Sequence, residues 1–391
     1  MKWTNKGHEF DEMFQNISKL SAVYLFGAGH DGIMVKNILT DRYPCVKVLG
    51  YIDNNKGKQG TLYEGLPVHS LSQINKEEGI GIVVSFASEF VNAIDSQLTE
   101  AGWEKGVTFF HYEEFLSVVA AYRYDEVFMS SICILPTTRC NLRCKACLNF
   151  TNYIKKFENR PLEKLKEEVD LFFSCVGYVG LFFLSGGEPL LYPDIAELIR
   201  YIGDNYKNQM YSYEIVTNGT ISPRDEVIRA IQETDIKITA DDYRDALPEQ
   251  KEKIEKNFEC LLQNCGAEKV IIRKYEEWID LYPHDIKESD EKELEKKYDR
   301  CHVPWQEYRD GKLFSCNYAA FAANAGLVEE NDLSETFNLQ LFSKDKKKEL
   351  VEFRLGYSEK GYVEFCRKCA GYLEINPYKV PAAEQGERCC V

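Results

Sequence analysis

The sequence predicts an α/β protein, and three observations carry that reading. From residue 132 to residue 272, apolar strand-like stretches alternate with amphipathic helical ones, a pattern that argues for parallel βαβ units. From residue 22 an apolar strand runs into a glycine-rich turn and a helix. Fourteen cysteines, many at ligand spacings, add the prospect of metal chemistry.

The N-terminal unit comes first. Strand Ala22 to Phe26 leads into Gly27-Ala28-Gly29-His30-Asp31-Gly32, and strand Val46 to Ile52 ends at Asp53. A G-x-G-x-x-G turn at a helix N-terminus, with an acidic residue about twenty positions on, is the order of a Rossmann-like nucleotide site. Gly27, Gly29, Gly32 and Asp53 are therefore candidates for holding a nucleotide or nucleotide-sugar. The same pattern also fits a degenerate fold that only mediates contacts. Gly65 to Ser70 and strand Ile80 to Ser85 complete a domain over residues 1–115. It resembles the nucleotide-binding unit at the start of sugar acyltransferases and of some polysaccharide-locus proteins.

The middle region, residues 125–285, reads as a partial (β/α)6 barrel. Its strands are expected at Ile132–Leu135, Val179–Leu184, Tyr211–Thr217, Ile236–Thr239 and Lys269–Ile272, with helices near Leu162–Phe173, Asp194–Ile202 and Asp225–Ile231. Ligands of such units collect at the carboxyl ends of the strands. Five segments fall there: Thr137 to Cys147, Ser185 to Leu190, Thr217 to Thr220, Asp241 to Tyr243, and Arg273.

The first of these carries Cys140, Cys144 and Cys147. Electron-transfer cubanes usually take four thiolates, so a compact trio suits a 4Fe-4S cluster with one open iron. Zinc with a more distant fourth ligand is the rival. In the second segment Gly186 and Gly187 let the backbone approach a ligand closely, and Glu188 can pair with an ammonium group. Alone, that run is also an ordinary strand-to-helix turn.

The last region, residues 300–391, follows a mixed-charge stretch from Lys287 to Arg300 that reads as a solvated helix or linker. Cys301 and Cys316 flank a segment that looks like a hairpin turning at Asp310-Gly311. With the later pair Cys366 and Cys369 they make a four-thiolate cage, suited to a cluster or to zinc. Cys389 and Cys390 near the chain end are candidates for a hydrogen donor or an extra ligand, although chain ends are commonly loose. Cys45, Cys133, Cys175, Cys260 and Cys265 read as buried structural thiols.

With these residues in view, the chain resembles the radical S-adenosylmethionine (radical SAM) superfamily. The C-x3-C-x2-C motif of that family matches Cys140, Cys144 and Cys147, and its GGEP motif matches Gly186, Gly187, Glu188 and Pro189. The resemblance implies that the methionyl amino and carboxylate groups of SAM chelate the open iron, with Glu188 and the glycine edge helping to hold the amino group. One electron then breaks the sulfonium bond, and the resulting 5′-deoxyadenosyl radical abstracts hydrogen from a substrate. The position before the last cysteine is usually aromatic in the family and is Ala146 here, so the adenine contacts must differ.

In the family, residues after the third and later strands contact SAM or substrate, which makes Asn218, Asp241 and Arg273 candidates. Their bland alternatives are a turn, a helix cap and a solvated strand end. Cys301 and Cys316, with Gly311 five positions before the latter, resemble the start of a SPASM or Twitch region. Full SPASM regions carry seven cysteines, so this one is closer to Twitch, with a single auxiliary cluster.

Two 4Fe-4S clusters, SAM and a flavodoxin- or ferredoxin-like reductant are thus implied. The expected function is hydrogen abstraction from a small polyol, sugar or nucleotide-sugar, ending in oxidation or epimerisation. Two alternatives stand beside it: a peptide-modifying radical SAM maturase, and a non-catalytic zinc or iron-sulfur interaction protein.

Composition fits a cytoplasmic enzyme. A net charge of -15 opposes nucleic-acid binding, which needs a basic surface. No apolar run is long enough to span a bilayer, and no basic, apolar leader precedes the first strand, so neither membrane nor export is expected. Cysteines at ligand spacings in a chain of this size favour a reducing compartment.

Overall fold

The computed structural model describes residues 1–86, 90–282, 290–301, 306–328, 336–372 and 375–386. The chain divides into two compact units, one of Thr4–Ser130 with Ser343–Leu355, the other of Met1–Trp3, Ser131–Phe342 and Gly356–Val391.

The first unit is built on a sheet of six strands: β1 (Ala22–Phe26), β2 (Lys47–Ile52), β3 (Leu62–Tyr63), β4 (Leu66–His69), β5 (Ile80–Val84) and β6 (Phe109–His111). Their spatial order is β3-β4-β2-β1-β5-β6. All neighbours run parallel except β3 and β4. Val23, Leu25, Ile82, Val83 and Val84 are fully buried, as expected of parallel strands covered on both faces. Helices α1 (Asp11–Ile17), α2 (His30–Asn37), α3 (Val91–Glu100) and α4 (Tyr112–Arg123) accompany the sheet. Because the chain winds from β1 to β2 on one side and to β5 on the other, a crevice opens at their carboxyl ends.

The sequence places the end of this region near residue 115, but α4 begins there and buries most of its residues in the same unit. A distant helix, Lys347–Arg354, completes the packing. The guanidinium of Arg354 donates to Ser130 Oγ at 2.6 Å and stands 3.7 Å from the Glu113 carboxylate. Glu352 accepts from the backbone N–H groups of Gly7 and Glu9 at 2.7 and 2.9 Å.

The second unit holds a five-stranded sheet of β7 (Phe128–Ile134, which enters from the first unit), β8 (Tyr178–Leu184), β9 (Met210–Thr217), β10 (Lys237–Asp241) and β11 (Val270–Arg273). Spatial order follows sequence order, and β8 through β11 pair in parallel. Helices α5 (Leu162–Cys175), α6 (Ile195–Tyr206), α7 (Asp225–Glu233) and α8 (Lys251–Cys265) form the crossovers. In α6 the apolar stripe Ile195, Leu198, Ile199 and Ile202 is wholly buried, at the spacing of one helical face. These elements start and stop within a few residues of the positions read from the sequence. Beyond the β7 edge, Cys133 bridges in parallel to Glu307.

The remainder of this unit is smaller. Strand β12 (Glu277–Ile279) pairs antiparallel with a late strand, Lys379–Pro381. Helix α9 (Glu291–Arg300) is capped by the Asp290 side chain, which accepts from Lys292 N at 3.0 Å. The expected hairpin forms from β13 (Tyr308–Arg309) and β14 (Lys312–Phe314). Asp310 and Gly311 have φ of 53° and 73°, the left-handed pair that a two-residue type I′ turn requires. Helix α10 (Asn317–Asn324) follows directly from Cys316. No helix among the described residues is long and apolar enough to cross a membrane.

Candidate functional site

The loop after β7 and the turn after β8 are locked together by backbone. Gly187 N donates to Thr137 O at 2.9 Å and Glu188 N to Arg139 O at 2.7 Å. A Cβ on Gly186 would lie 2.5 Å from Thr137 O, and one on Gly187 would lie 2.1 Å from Arg139 O. The two glycines, expected to admit a ligand, therefore admit the main chain of the cysteine loop. The effect is to fix that loop against the end of the sheet.

Glu188 makes a second link. Its side chain is fully buried, and both oxygens serve the protein: Oε1 accepts from Thr217 Oγ1 at 2.8 Å and Leu190 N at 3.0 Å, Oε2 from Asn218 N at 2.8 Å. This carboxylate ties the ends of β8 and β9. Burial pushes its pKa up to about 7, against the pull of those hydrogen bonds.

The three cysteines of the loop sit on an apolar cluster that includes Leu142, Ala240, Tyr243 and Phe258. Cys140 Sγ accepts from Leu142 N at 3.4 Å and is 3.9 Å from Asn218 Nδ2, and Cys147 Sγ accepts from Thr151 Oγ1 at 3.2 Å. Burial pushes the Cys140 and Cys144 thiols up to about 12, and the nearby Cys147 adds to both rises. In the metal-free chain burial favours the neutral thiol at Cys140 and Cys144, so a bound cation would be needed to hold them as thiolates. Buried thiolates in turn call for a metal to offset their charge. Ala146 is buried beside them.

Sequence candidates from the later strands gather around this loop. Asn218 donates from Nδ2 to Asn141 Oδ1 at 3.0 Å, while its own Oδ1 accepts from Thr220 N and Thr220 Oγ1 at 2.9 and 2.6 Å. Asp241 accepts from the Tyr243 hydroxyl at 2.8 Å, and burial lifts its pKa to about 6. Its charge raises both Glu188 and Cys144. Arg273 is more peripheral: its side chain is 44% exposed and stands 3.7 Å from Glu214 Oε2.

Sequence reasoning missed Glu214, which is buried in β9 and accepts from Ser212 Oγ at 3.1 Å and Thr239 Oγ1 at 3.2 Å. A carboxylate inside an otherwise apolar strand was the available signal. Thr151 carried none, since it lies in an irregular loop.

Cys301, Cys316, Cys366 and Cys369 converge on a second apolar cluster, with Tyr298, Tyr318, Phe365 and Tyr372 among its members. Burial pushes all four thiols up, and Cys316 and Cys369 each raise Cys301 further. Donors again face the sulfurs. The first N–H groups of α10 point at Cys316, and Gly371 N donates to Cys369 Sγ at 3.3 Å. Lys297 Nζ clamps the turn by donating to Cys366 O and Cys369 O at 2.8 and 2.7 Å. Four buried or half-buried sulfurs against one apolar cluster suit a metal cofactor on the chemistry of the donor set. Among the described residues no three His, Cys, Asp or Glu side chains are gathered closely enough to cage a single ion.

Cys389 and Cys390 lie outside the described residues. Of the cysteines read as structural, Cys133 and Cys265 are buried and Cys45, Cys175 and Cys260 are partly so.

In the first unit, a cavity of about 570 Å³ occupies the crevice at the ends of β1 and β5. Gly27, Gly29, Asp53, Lys58, Phe86 and Gln97 are among its walls. The glycines divide the work: a Cβ on Gly32 would lie 2.1 Å from Gly27 O, whereas one on Gly29 would meet open space. Asp53 Oδ2 accepts from Ala28 N at 3.1 Å and from Lys58 Nζ at 3.2 Å.

Residues 134–267 match the family model described as Radical SAM superfamily. No curated protein matches the sequence. Among solved structures, SuiB of Streptococcus suis bound to S-adenosylmethionine overlaps at 16% identity and a TM-score of 0.30, over 41% of this chain and 36% of that one. BtrN in complex with AdoMet and 2-DOIA overlaps at 17% identity and a TM-score of 0.38, over 64% of this chain and 98% of that one. For anSMEcpe with bound AdoMet and the Cp18Cys peptide the values are 14% and 0.33, over 56% and 79%. The chain thus spans little more than a third of the SuiB chain. Cys140, Cys144, Cys147 and Glu188 all fall within the residues that match the radical SAM family model.

Proposed function

We propose that this chain is a radical SAM enzyme acting on a small polyol, sugar or nucleotide-sugar by oxidation or epimerisation. The observation that carries the reading is the joining of the loop of Cys140, Cys144 and Cys147, at Arg139 and Cys140, to the carboxyl ends of the parallel strands through Glu188 and Asn218. Cys140, Cys144 and Cys147 would hold the cluster, which together with SAM would supply one-electron chemistry able to abstract a hydrogen atom from a substrate C–H bond.

The chain's own residues then have distinct tasks. Leu142 N, Asn218 and Thr151 orient the thiolates, while Glu188 and the glycine pair brace the loop against the sheet and leave backbone at its edge to meet SAM. Asp241, held near neutrality, is suited to take the hydroxyl proton as a carbinol radical becomes a carbonyl. Arg273, at the exposed end of β11, is suited to an anionic substrate group. Cys301, Cys316, Cys366 and Cys369 would hold an auxiliary Twitch-like cluster, which would supply a one-electron acceptor for oxidation. An external flavodoxin- or ferredoxin-like protein supplies the initiating electron. Epimerisation needs a hydrogen donor instead, the role expected of Cys389 or Cys390.

The first unit gives the sugar reading its support. A glycine turn beside open space, a carboxylate at the end of β2 and a cavity at the winding reversal together suit a nucleotide in a Rossmann-like site. Peptide modification is the second reading, favoured by the auxiliary cysteines but given no peptide-binding element by this cavity. A non-catalytic metal scaffold is the third.

The test is anaerobic purification, quantification of iron, sulfide and zinc, and assay of 5′-deoxyadenosine after adding SAM and dithionite. About eight irons per chain and deoxyadenosine lost in Cys144→Ala are expected. Bound zinc without SAM cleavage would sink the enzymatic reading.

A further inference from the structure

After strand Lys379–Pro381 the chain returns to the cysteine loop and pairs with it. Lys145 N donates to Glu384 O at 2.8 Å, and Gly386 N donates to Arg143 O at 2.7 Å. Between them Cys144 and Gln385 form an antiparallel bridge. The Lys145 ammonium adds an ion pair with Glu384 at 2.5 Å. Ala383, buried against the same apolar cluster as Cys144, holds a left-handed φ of 56° that turns the strap toward the loop. A non-glycine residue adopts that conformation at a cost of roughly 1–2 kcal/mol, so the surrounding contacts must hold it there.

The Gln385 side chain uses all of this. Its Oε1 accepts from Arg143 N at 2.8 Å, while Nε2 donates to Ala383 O at 2.7 Å and to Cys144 Sγ at 3.3 Å. The orientation of the amide is fixed by its partners: a flipped group would set NH2 against the Arg143 N–H and oxygen against the Ala383 carbonyl. The N–H therefore faces the sulfur.

Cys140 and Cys147 take side-chain donors from Asn218 and Thr151, and Cys144 takes its own from a residue 241 positions later. We propose that Gln385 is a positioning residue that raises the reduction potential of the metal centre held by Cys144. The inference rests on the reading of Cys140, Cys144 and Cys147 as cluster ligands. An N–H···S bond favours the more negative, reduced form, and hydrogen bonds to ligand sulfur are among the levers that set cluster potentials.

The experiment is an EPR-monitored redox titration of the full-length holoprotein, followed on the signal that changes when SAM is added. Gln385→Met removes the donor at similar length. Gln385→Glu keeps the acceptor for Arg143 N and puts a negative oxygen near the sulfur. Both are expected to move the midpoint negative, by about a tenfold change in the reduced-to-oxidised ratio for Gln385→Met, or about 59 mV for one electron. Gln385→Glu should move it further. The double variant Lys145→Met, Glu384→Gln, which removes the ion pair without changing net charge or the donor, should leave the midpoint in place. Unchanged midpoints in both Gln385 variants at full iron content would overturn the proposal. A wild-type chain that takes up no iron would overturn the ligand reading instead, so the two failures are distinct.

Discussion

The backbone N–H of Asn218 lies 2.8 Å from Oε2 of Glu188, so one buried carboxylate holds the turn after β8 to the end of β9. Glu188→Gln has nearly the same shape but turns one acceptor into a donor. Either Leu190 N or Asn218 N then loses its partner, at a cost of roughly 1–3 kcal/mol. A urea unfolding curve should show that loss, and Glu188→Asp should not restore the wild-type midpoint.

The same carboxylate, with Asp241, gives the metal-free protein a pH dependence. Burial holds Glu188 at about 7 and Asp241 at about 6, above their ordinary 4.5 and 3.8. The folded chain keeps these protons where the unfolded chain has released them. Their contribution is full below the ordinary values and is lost as pH rises through about 6 to 7. The urea midpoint should fall between about pH 5 and about pH 8, and the fall should shrink in a Glu188→Gln, Asp241→Asn variant.

Gly187→Ala sets a Cβ 2.1 Å from the Arg139 carbonyl, which is backbone and cannot turn aside. The loop that carries Cys140 must shift. Overpacking of this kind costs roughly 1–3 kcal/mol. Iron analysis should show the loop's cluster depleted while the Cys301 to Cys369 site stays loaded.

The two thiolate groups should load independently. Replacing Cys366 and Cys369 with Ala is expected to lower iron from about eight to about four per chain and to leave SAM-dependent deoxyadenosine formation in place. Loss of all iron would show instead that the second site is needed to fold the first.

For the N-terminal cavity, the probe is UDP. Calorimetry on the full chain should detect binding, and Asp53→Ala should weaken it by about tenfold or more, the loss of one or two good hydrogen bonds. No heat with UDP or with NAD would assign the cavity no nucleotide.

Much of this was legible because it is local. The type I′ turn at Asp310-Gly311 and the glycine turn after β1 need only the backbone preferences of a few residues. So do the strand ends, where apolar runs give way to turn formers. What escaped depends on chain return. Gln385 reaches Cys144 only after the whole unit has closed, and nothing in Pro381 to Gly386 announces a partner. Glu188 was read for its charge, yet burial and three inward donors made it a brace. The glycines at 186 and 187 were read as letting the backbone approach a ligand, and the close contact the fold shows there is with the main chain of the cysteine loop.

The helix Lys347–Arg354 has a consequence for synthesis. Glu113 and Ser130 wait for Arg354, and the N–H groups of Gly7 and Glu9 wait for Glu352, all of them on a helix translated more than two hundred residues later. Domains usually fold in order as they leave the ribosome. Here the first unit must stay unfinished until residue 354 has been made, so a product that stops before it is left with an open first unit as well as an incomplete second one.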